Sequence, residues 1–139
     1  MEQWIIPCSP NIYNAEEAFK EYGTIVWHQD CNIQPGDVVY IYVTAPVKEL
    51  RCKCIAVDVD IPFDIGEDEG YTIDEEFCSR SYRRYMSLKL VELYDNTFLS
   101  FKEMLHNGLG GTVRSQRRIN PLLQKYIEDV TRGSNHTDN

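Results

Sequence analysis

Residues 23–46 read GTIVWHQDCNIQPGDVVYIYVTAP, two apolar runs that are joined by a turn. The first run is residues 25–27, and the second is residues 38–43, whose length and β-branched, aromatic composition predict a strand. Apolar side chains occupy both faces of the second run, which indicates a strand in the interior of a sheet. The PGD sequence at 35–37 predicts the turn, because proline fixes φ, glycine allows a positive φ and aspartate bonds nearby N–H groups.

Three notable side chains follow one another where the first run gives way to the loop: Trp27, His28 and Gln29. A large aromatic ring followed by two hydrogen-bonding side chains at a strand end is typical of a site for a flat, polar ligand. The competing interpretation is structural, since tryptophan often packs in a core and most histidines are simply hydrogen-bonded.

The chain has 139 residues, 42% of them hydrophobic, which predicts one domain with a substantial core. We expect this domain to span residues 1–132 and a disordered polar tail to follow at 133–139. No apolar run approaches the roughly 20 residues of a membrane helix, and residues 1–10 do not have the pattern of a signal peptide. A soluble, cytoplasmic protein with no membrane partner is therefore expected.

The five cysteines are odd in number and form no CxxC pair, which favours reduced thiols over a disulfide framework. Cys52 and Cys54 are two residues apart in a predicted strand and therefore face the same side. The three histidines are scattered, so buried thiols are favoured over a metal site. Neither a metal nor a cofactor is expected.

Acidic and basic residues are separated along the chain, whose net charge is −8. Residues 1–79 hold 4 basic and 16 acidic residues, whereas residues 80–139 hold 10 basic and 6 acidic ones. The acidic residues concentrate at 64–76. The arginines form two groups, which are Arg80, Arg83 and Arg84, then Arg114, Arg117 and Arg118. This distribution argues against nucleic-acid binding by the whole surface and leaves two alternatives, a local basic site or charge balance for the acidic loop.

Cap and turn residues divide the rest of the chain into further elements. A first strand is predicted at residues 3–8, a helix capped by Asn14 follows it, and a long strand is predicted at residues 49–59. Two later helices are predicted after the capping residues Ser100 and Asn120. These elements predict the α/β class, of α+β type, with a small, mixed, strongly curved sheet or pseudo-barrel and short flanking helices.

Two irregular stretches interrupt these elements. Residues 61–81 are predicted to form an acidic excursion loop, and strand character returns at 82–94 with a bulge between Leu90 and Val91. Three glycines within residues 108–111 precede the second arginine group and give a backbone-exposed loop that could accept a phosphate. Neither GK[ST] nor GxGxxG is present, which argues against a nucleotide-hydrolysing protein.

The sequence resembles the EVE-type domains of the PUA-like superfamily, relatives of ASCH and YTH domains. The resemblance covers approximately residues 3–130. Four segments carry it, which are WIIPCSP at 4–10, GTIVW at 23–27, PGDVVYIYVTAP at 35–46 and LGGTVRSQRRINPLLQKYI at 109–127. Members of this superfamily resemble small barrels with a pocket at one end, and they bind RNA or recognise modified bases.

The resemblance implies a non-catalytic reader that accepts a flipped, modified base of DNA, such as modified cytosine, in an aromatic pocket. The pocket residues that it implies are Trp27 as the stacking surface, with His28, Gln29, Ser9, Tyr42 and Thr44. The phosphate-binding residues that it implies are Arg114, Arg117, Arg118, Arg83 and Arg84. It further implies the recognition module of a modification-dependent restriction or defence system. Any nuclease would be a separate module or subunit, because this chain shows no HNH histidine cluster.

Three other interpretations remain open from the sequence. The first is an RNA-binding module of the same fold that recognises a modified base in RNA. The second is an enzyme that uses His28, Cys8 or Cys31, although local spacing places no carboxylate or second histidine to orient a base. The third is an adaptor that binds only protein, in which the aromatic residues pack and the arginines contact a partner.

Overall fold

A computed structural model describes residues 1–10, 14–61 and 84–135 of the chain. Within these ranges the strands and helices follow one another with a short 3-10 turn at Thr97–Leu99. The strands are β1 (Gln3–Cys8), β2 (Thr24–His28), β3 (Val38–Val43), β4 (Glu49–Ile61), β5 (Tyr85–Leu93) and β6 (Arg117–Arg118). The helices are α1 (Ala15–Tyr22), α2 (Phe101–Leu105) and α3 (Pro121–Asn135).

These strands form one mixed sheet in the order β2-β5-β4-β3-β1-β6. β1 and β3 run parallel, and every other neighbouring pair is antiparallel. β3 therefore lies in the interior of the sheet, as its two apolar faces predicted. The curved, unclosed sheet and its short helices confirm the predicted α+β fold class.

The two faces of the sheet carry two separate apolar cores. Val39 and Ile41 of β3 point into the first core, which α1 covers with Phe19. Tyr40 and Tyr42 point into the second core, which apolar residues of α2 and α3 cover. A slip of β3 by one residue would move each of these side chains to the opposite face of the sheet. Because burying one such side chain contributes about 1.5–3 kcal/mol, the loss of these contacts would be strongly unfavourable. The alternation of β3 thus fixes which residues each face presents.

The predicted bulge is present where β5 pairs with β4. Lys53 lies opposite Glu92 and Cys54 lies opposite Leu90, so Val91 is the additional residue. A bulged ladder twists and bends more strongly than a regular one, which contributes to the curvature of the sheet.

Each helix begins at a capping side chain that the sequence predicted. Asn14, Ser100 and Asn120 accept a hydrogen bond from the backbone N–H three residues further along, at 3.1, 3.3 and 2.8 Å respectively. α1 ends at Gly23, whose φ of 77° is a left-handed conformation that glycine adopts without strain. Local sequence signals thus determine where the helices start and where α1 stops.

The structure departs from the predictions at the end of the chain. β6 was not predicted, and α3 continues to Asn135, beyond the expected domain end at residue 132. The disordered tail remains a prediction for residues 136–139, which lie outside the described residues.

No helix in the described part of the chain is long and apolar enough to cross a membrane. The predicted acidic excursion at 61–81 lies outside the described ranges except for Ile61, which ends β4. Arg83 also lies outside them.

Candidate nucleic-acid interface

Trp27 and His28 occupy the last two positions of β2, where the sequence predicted a ligand site. The Trp27 side chain is buried in the first core with a relative exposure of 5%. The His28 ring lies against it at a centroid distance of 5.4 Å and a tilt of 32°. The His28 side chain retains 12% exposure, and its Nε2 lies 3.4 Å from an Asp30 carboxylate oxygen. Trp27 is thus an inner aromatic surface, and His28 is the ring nearer to solvent.

Gln29 shapes the loop between β2 and β3, which we call the β2–β3 loop (residues 29–37). Its side chain is buried, and its amide nitrogen donates hydrogen bonds to the carbonyl groups of Cys31 and Ile33 at 3.0 and 3.2 Å. Both bonds fold the loop over the first core, where Ile33 is completely buried. The side-chain N–H groups of Gln29, which were predicted to bind a base, therefore bind carbonyl groups of the β2–β3 loop instead.

Gln116 connects this end of β2 to the arginine segment, which we define as residues 112–118. Its side-chain oxygen accepts the N–H of Asp30 at 2.8 Å, and its side-chain nitrogen donates to the His28 carbonyl at 2.8 Å. The Cys31 thiol donates to the Gln116 carbonyl at 3.1 Å. The structure therefore brings the arginine segment next to Trp27 and His28. Nothing in the local sequence indicated this, because an isolated glutamine between a serine and an arginine is typical of a solvated loop.

The arginines of this segment have different surroundings. Arg117 folds back and donates to the carbonyl groups of Gly111 and Thr112 at 3.1 and 3.3 Å, which closes the segment into a compact turn. Arg114 is exposed, and the Arg118 side chain is 62% exposed. Arg114 and Arg118 thus present positive charge to solvent, while Arg117 also maintains the shape of the segment.

The start of β1 holds Arg118 in place from the other side. Arg118 lies opposite Trp4 in the β1–β6 pair, and its guanidinium carbon is 5.2 Å from the centre of the Trp4 ring, within cation–π range. The Glu2 carboxylate lies 3.8 Å from Arg118 Nε. The exposed Arg84 belongs to the same end of the sheet, because its carbonyl accepts the Gln29 N–H at 2.9 Å.

A buried carboxylate fastens the β2–β3 loop to the start of β1. Asp37 accepts hydrogen bonds from the Trp4 indole at 2.9 Å, the Gln34 N–H at 3.0 Å and the Glu2 N–H at 3.1 Å. Burial alone would raise the pKa of Asp37, but these hydrogen bonds outweigh it and hold that pKa below its usual value. The predicted capacity of this turn aspartate to bond nearby N–H groups is confirmed.

Three predicted pocket residues lie elsewhere in the fold. Ser9 and Thr44 follow the carboxyl ends of β1 and β3, whereas His28 lies at the end of the sheet where those two strands begin. Six residues of strand separate the two ends by roughly 20 Å. Tyr42 is buried in the second core, where its ring packs edge-on against Phe101 at 6.5 Å. The structure therefore does not bring these three residues together with Trp27.

The four cysteines in the described part of the chain form no disulfide, and their thiols are poorly suited to nucleophilic chemistry. Cys8, Cys52 and Cys54 are buried, as the interpretation of apolar thiols predicted for the last two. Burial, and then the charge of Asp30, raise the pKa of the partly exposed Cys31 above its usual value. The described residues contain no group of three histidine, cysteine or acidic side chains that could hold a metal ion.

Comparisons with solved structures identify the fold. ASCH from Zymomonas mobilis gives a TM-score of 0.67 at 8% sequence identity, covering 93% of this chain and 95% of that chain. Human THYN1 protein in complex with 5-methylcytosine-containing DNA gives 0.64 at 12% identity, covering 93% and 96%. An NMR structure from Rhodopseudomonas palustris gives 0.64 at 9% identity, covering 100% and 97%. No family model matches the chain, and no curated protein matches its sequence.

These similarities show that the chain has the PUA-like fold of ASCH domains and THYN1. The resemblance to EVE-type and ASCH domains that was inferred from the sequence is confirmed at the level of the fold. Identities of 8–12% assign no ligand to this chain, so its function has to be argued from its own residues.

Proposed function

We propose that this protein is a non-catalytic reader that binds nucleic acid at the end of the sheet where β2 stops and the arginine segment lies. One observation carries the proposal: Gln116 joins the arginine segment to His28 and Asp30 through two hydrogen bonds of 2.8 Å. Positive charge for phosphates and an aromatic, hydrogen-bonding surface for a base are thereby adjacent. The fold similarity to THYN1 bound to 5-methylcytosine-containing DNA supports a modified base as the ligand.

In this proposal the phosphates contact the exposed guanidinium groups of Arg114 and Arg118, with Arg84 at the margin. The base lies against the His28 ring, which is supported from behind by Trp27. Because Trp27 is only 5% exposed, its contribution is to hold the His28 ring rather than to form the outer face of the site. Stacking on such an aromatic surface contributes roughly 1–3 kcal/mol per base.

The overall charge of the protein favours selective over general binding. A net charge of −8 opposes binding of a nucleic-acid backbone by the surface as a whole and leaves the basic surface as the favourable place for it. We therefore expect weak binding to an unmodified duplex and stronger binding when one accessible modified base fills the site. The natural setting that we propose is a modification-dependent restriction or defence system in which a separate module or subunit cuts the nucleic acid.

The test is a binding panel of short oligonucleotides that carry cytosine, 5-methylcytosine, 5-hydroxymethylcytosine or N6-methyladenine, each prepared as DNA and as RNA. Wild type is compared with Arg114→Ala and with the matched control Arg132→Ala, which removes an exposed arginine from α3. We expect tighter binding of one modified base and a loss of affinity in Arg114→Ala only. Selective binding of the RNA series would assign the reader to RNA, and equal weak binding of every oligonucleotide would refute the proposed function.

A further inference from the structure

Gln116 is a buried side chain that joins two segments far apart in the sequence. Its relative exposure is 5%, and its two hydrogen-bond partners lie 86 and 88 residues earlier in the chain. Its oxygen is used by the Asp30 N–H, and its nitrogen is used by the His28 carbonyl. A buried amide with both ends bonded to backbone groups has one orientation, because turning it over would set donor against donor and acceptor against acceptor.

The two hydrogen bonds of Gln116 connect the two edges of the sheet. β2 and β6 are the two edge strands of the sheet, and Gln116 immediately precedes β6 while His28 ends β2. The glutamine side chain therefore spans the opening between the edges at the end that carries the arginines. It satisfies an N–H and a carbonyl that strand pairing would satisfy in a closed barrel.

We propose that Gln116 is the positioning residue of the nucleic-acid site. It fixes the arginine segment relative to His28, so that the phosphate of one nucleotide contacts an arginine while its base contacts His28. The inference rests on the proposed function. Contacts that are held in register before binding avoid the cost of ordering two separate segments around the ligand.

The chemistry of the two bonds requires a glutamine. A carboxylate at position 116 would still accept the Asp30 N–H, but its second oxygen would face the His28 carbonyl and repel it. A protonated carboxyl would donate to that carbonyl and restore the bond. Gln116→Glu is therefore a reversible perturbation whose effect depends on pH. Burial beside a carbonyl raises the pKa of such a carboxyl, so mildly acidic solution is sufficient to protonate it.

The experiment measures oligonucleotide affinity at pH 8 and pH 5.5 for wild type, Gln116→Glu and the control Gln34→Glu. Gln34 is an exposed residue of the β2–β3 loop, so its variant adds the same charge at the same end of the sheet without touching the two bonds. We expect Gln116→Glu to bind about tenfold more weakly than Gln34→Glu at pH 8, as for the loss of one buried hydrogen bond. At pH 5.5 the difference should fall to about twofold.

Amide hydrogen exchange at Asp30 reports the bond itself, independently of any ligand. We expect fast exchange in Gln116→Met, which keeps the side-chain volume but does not replace the amide oxygen that accepts the Asp30 N–H. Gln116→Glu should keep slow exchange at Asp30, because its carboxylate still accepts that N–H. Equal affinities of the Gln116→Glu and Gln34→Glu variants, or a loss that does not recover at pH 5.5, would overturn the inference. If wild type binds no oligonucleotide, the proposed function fails. Unchanged Asp30 exchange in Gln116→Met would refute the joining of the two segments, whether or not the protein binds an oligonucleotide.

Discussion

Replacing Asp37 should loosen the end of the sheet that carries the proposed site. Its carboxylate accepts three N–H groups, from Trp4, Gln34 and Glu2, at 2.9, 3.0 and 3.1 Å. Hydrogen bonds to a charged acceptor contribute about 1.5–3 kcal/mol each, but the backbone donors of Glu2 and Gln34 lie in exposed residues and have partial access to water in the variant. The buried Trp4 indole has less access to water and loses its bond in full, so we expect Asp37→Ala to lower the free energy of unfolding by about 2–4 kcal/mol.

Denaturant unfolding followed by tryptophan fluorescence measures this loss, because Trp4 is both a partner of Asp37 and a reporter of its environment. The matched control is Asp95→Ala, which removes a carboxylate that is 98% exposed and should change the unfolding free energy by less than about 0.5 kcal/mol. A loss below about 1 kcal/mol in Asp37→Ala would show that the three hydrogen bonds do not stabilise the fold as argued.

The stability that the Asp37 carboxylate contributes should decrease in acidic solution. Because the pKa of Asp37 is lower in the folded protein than in the unfolded chain, its charge stabilises the fold at neutral pH. That contribution is complete above the unfolded pKa and is lost as the pH falls through the folded one. The stability difference between wild type and Asp37→Asn should therefore be constant from pH 7 to about pH 5 and shrink in more acidic solution.

Three further predictions follow from other parts of the structure. Gly108→Ala should cost about 2–4 kcal/mol in chemical unfolding, because φ is +108° and the new Cβ would lie 2.7 Å from the backbone nitrogen of Leu123; Gly110→Ala, which meets no atom within 4 Å, should be nearly neutral. Iodoacetamide should label Cys31 slowly at pH 7, since burial and Asp30 raise its pKa, and rapid labelling would favour a catalytic thiol instead. The affinity for a single-stranded ligand should fall with salt at a log–log slope of about −2, as for roughly three phosphate contacts, and a much steeper slope would contradict a small site.

The fold could be predicted to a large extent because its signals are local. The alternation of β3, the capping residues Asn14, Ser100 and Asn120, and the change of parity at Val91 each act within a few residues, and the structure has them where they were predicted. The two-residue strand β6 was missed because its pairing with β1 depends on residues more than 100 positions away, and its two arginines have no strand-like pattern.

The candidate site could be predicted only in part, because it depends on how distant segments meet. Trp27 and His28 were found from the change of composition at the end of β2. Ser9 and Thr44 were also placed at strand ends, but the direction of β1 and β3 relative to β2 puts them at the opposite end of the sheet. Gln116 was missed, because its two hydrogen bonds join segments 86 and 88 residues apart and no feature of its sequence neighbours indicates them.

Hydrogen exchange of the protein with and without a modified-base oligonucleotide tests the central claim most directly, because it reports which end of the sheet the ligand covers. We predict that the ligand slows exchange in the β2–β3 loop and in the arginine segment, and that residues 44–48 at the opposite end remain unchanged. Protection confined to residues 44–48, or no protection at saturating ligand, would contradict a reader that binds nucleic acid beside His28 and the arginine segment.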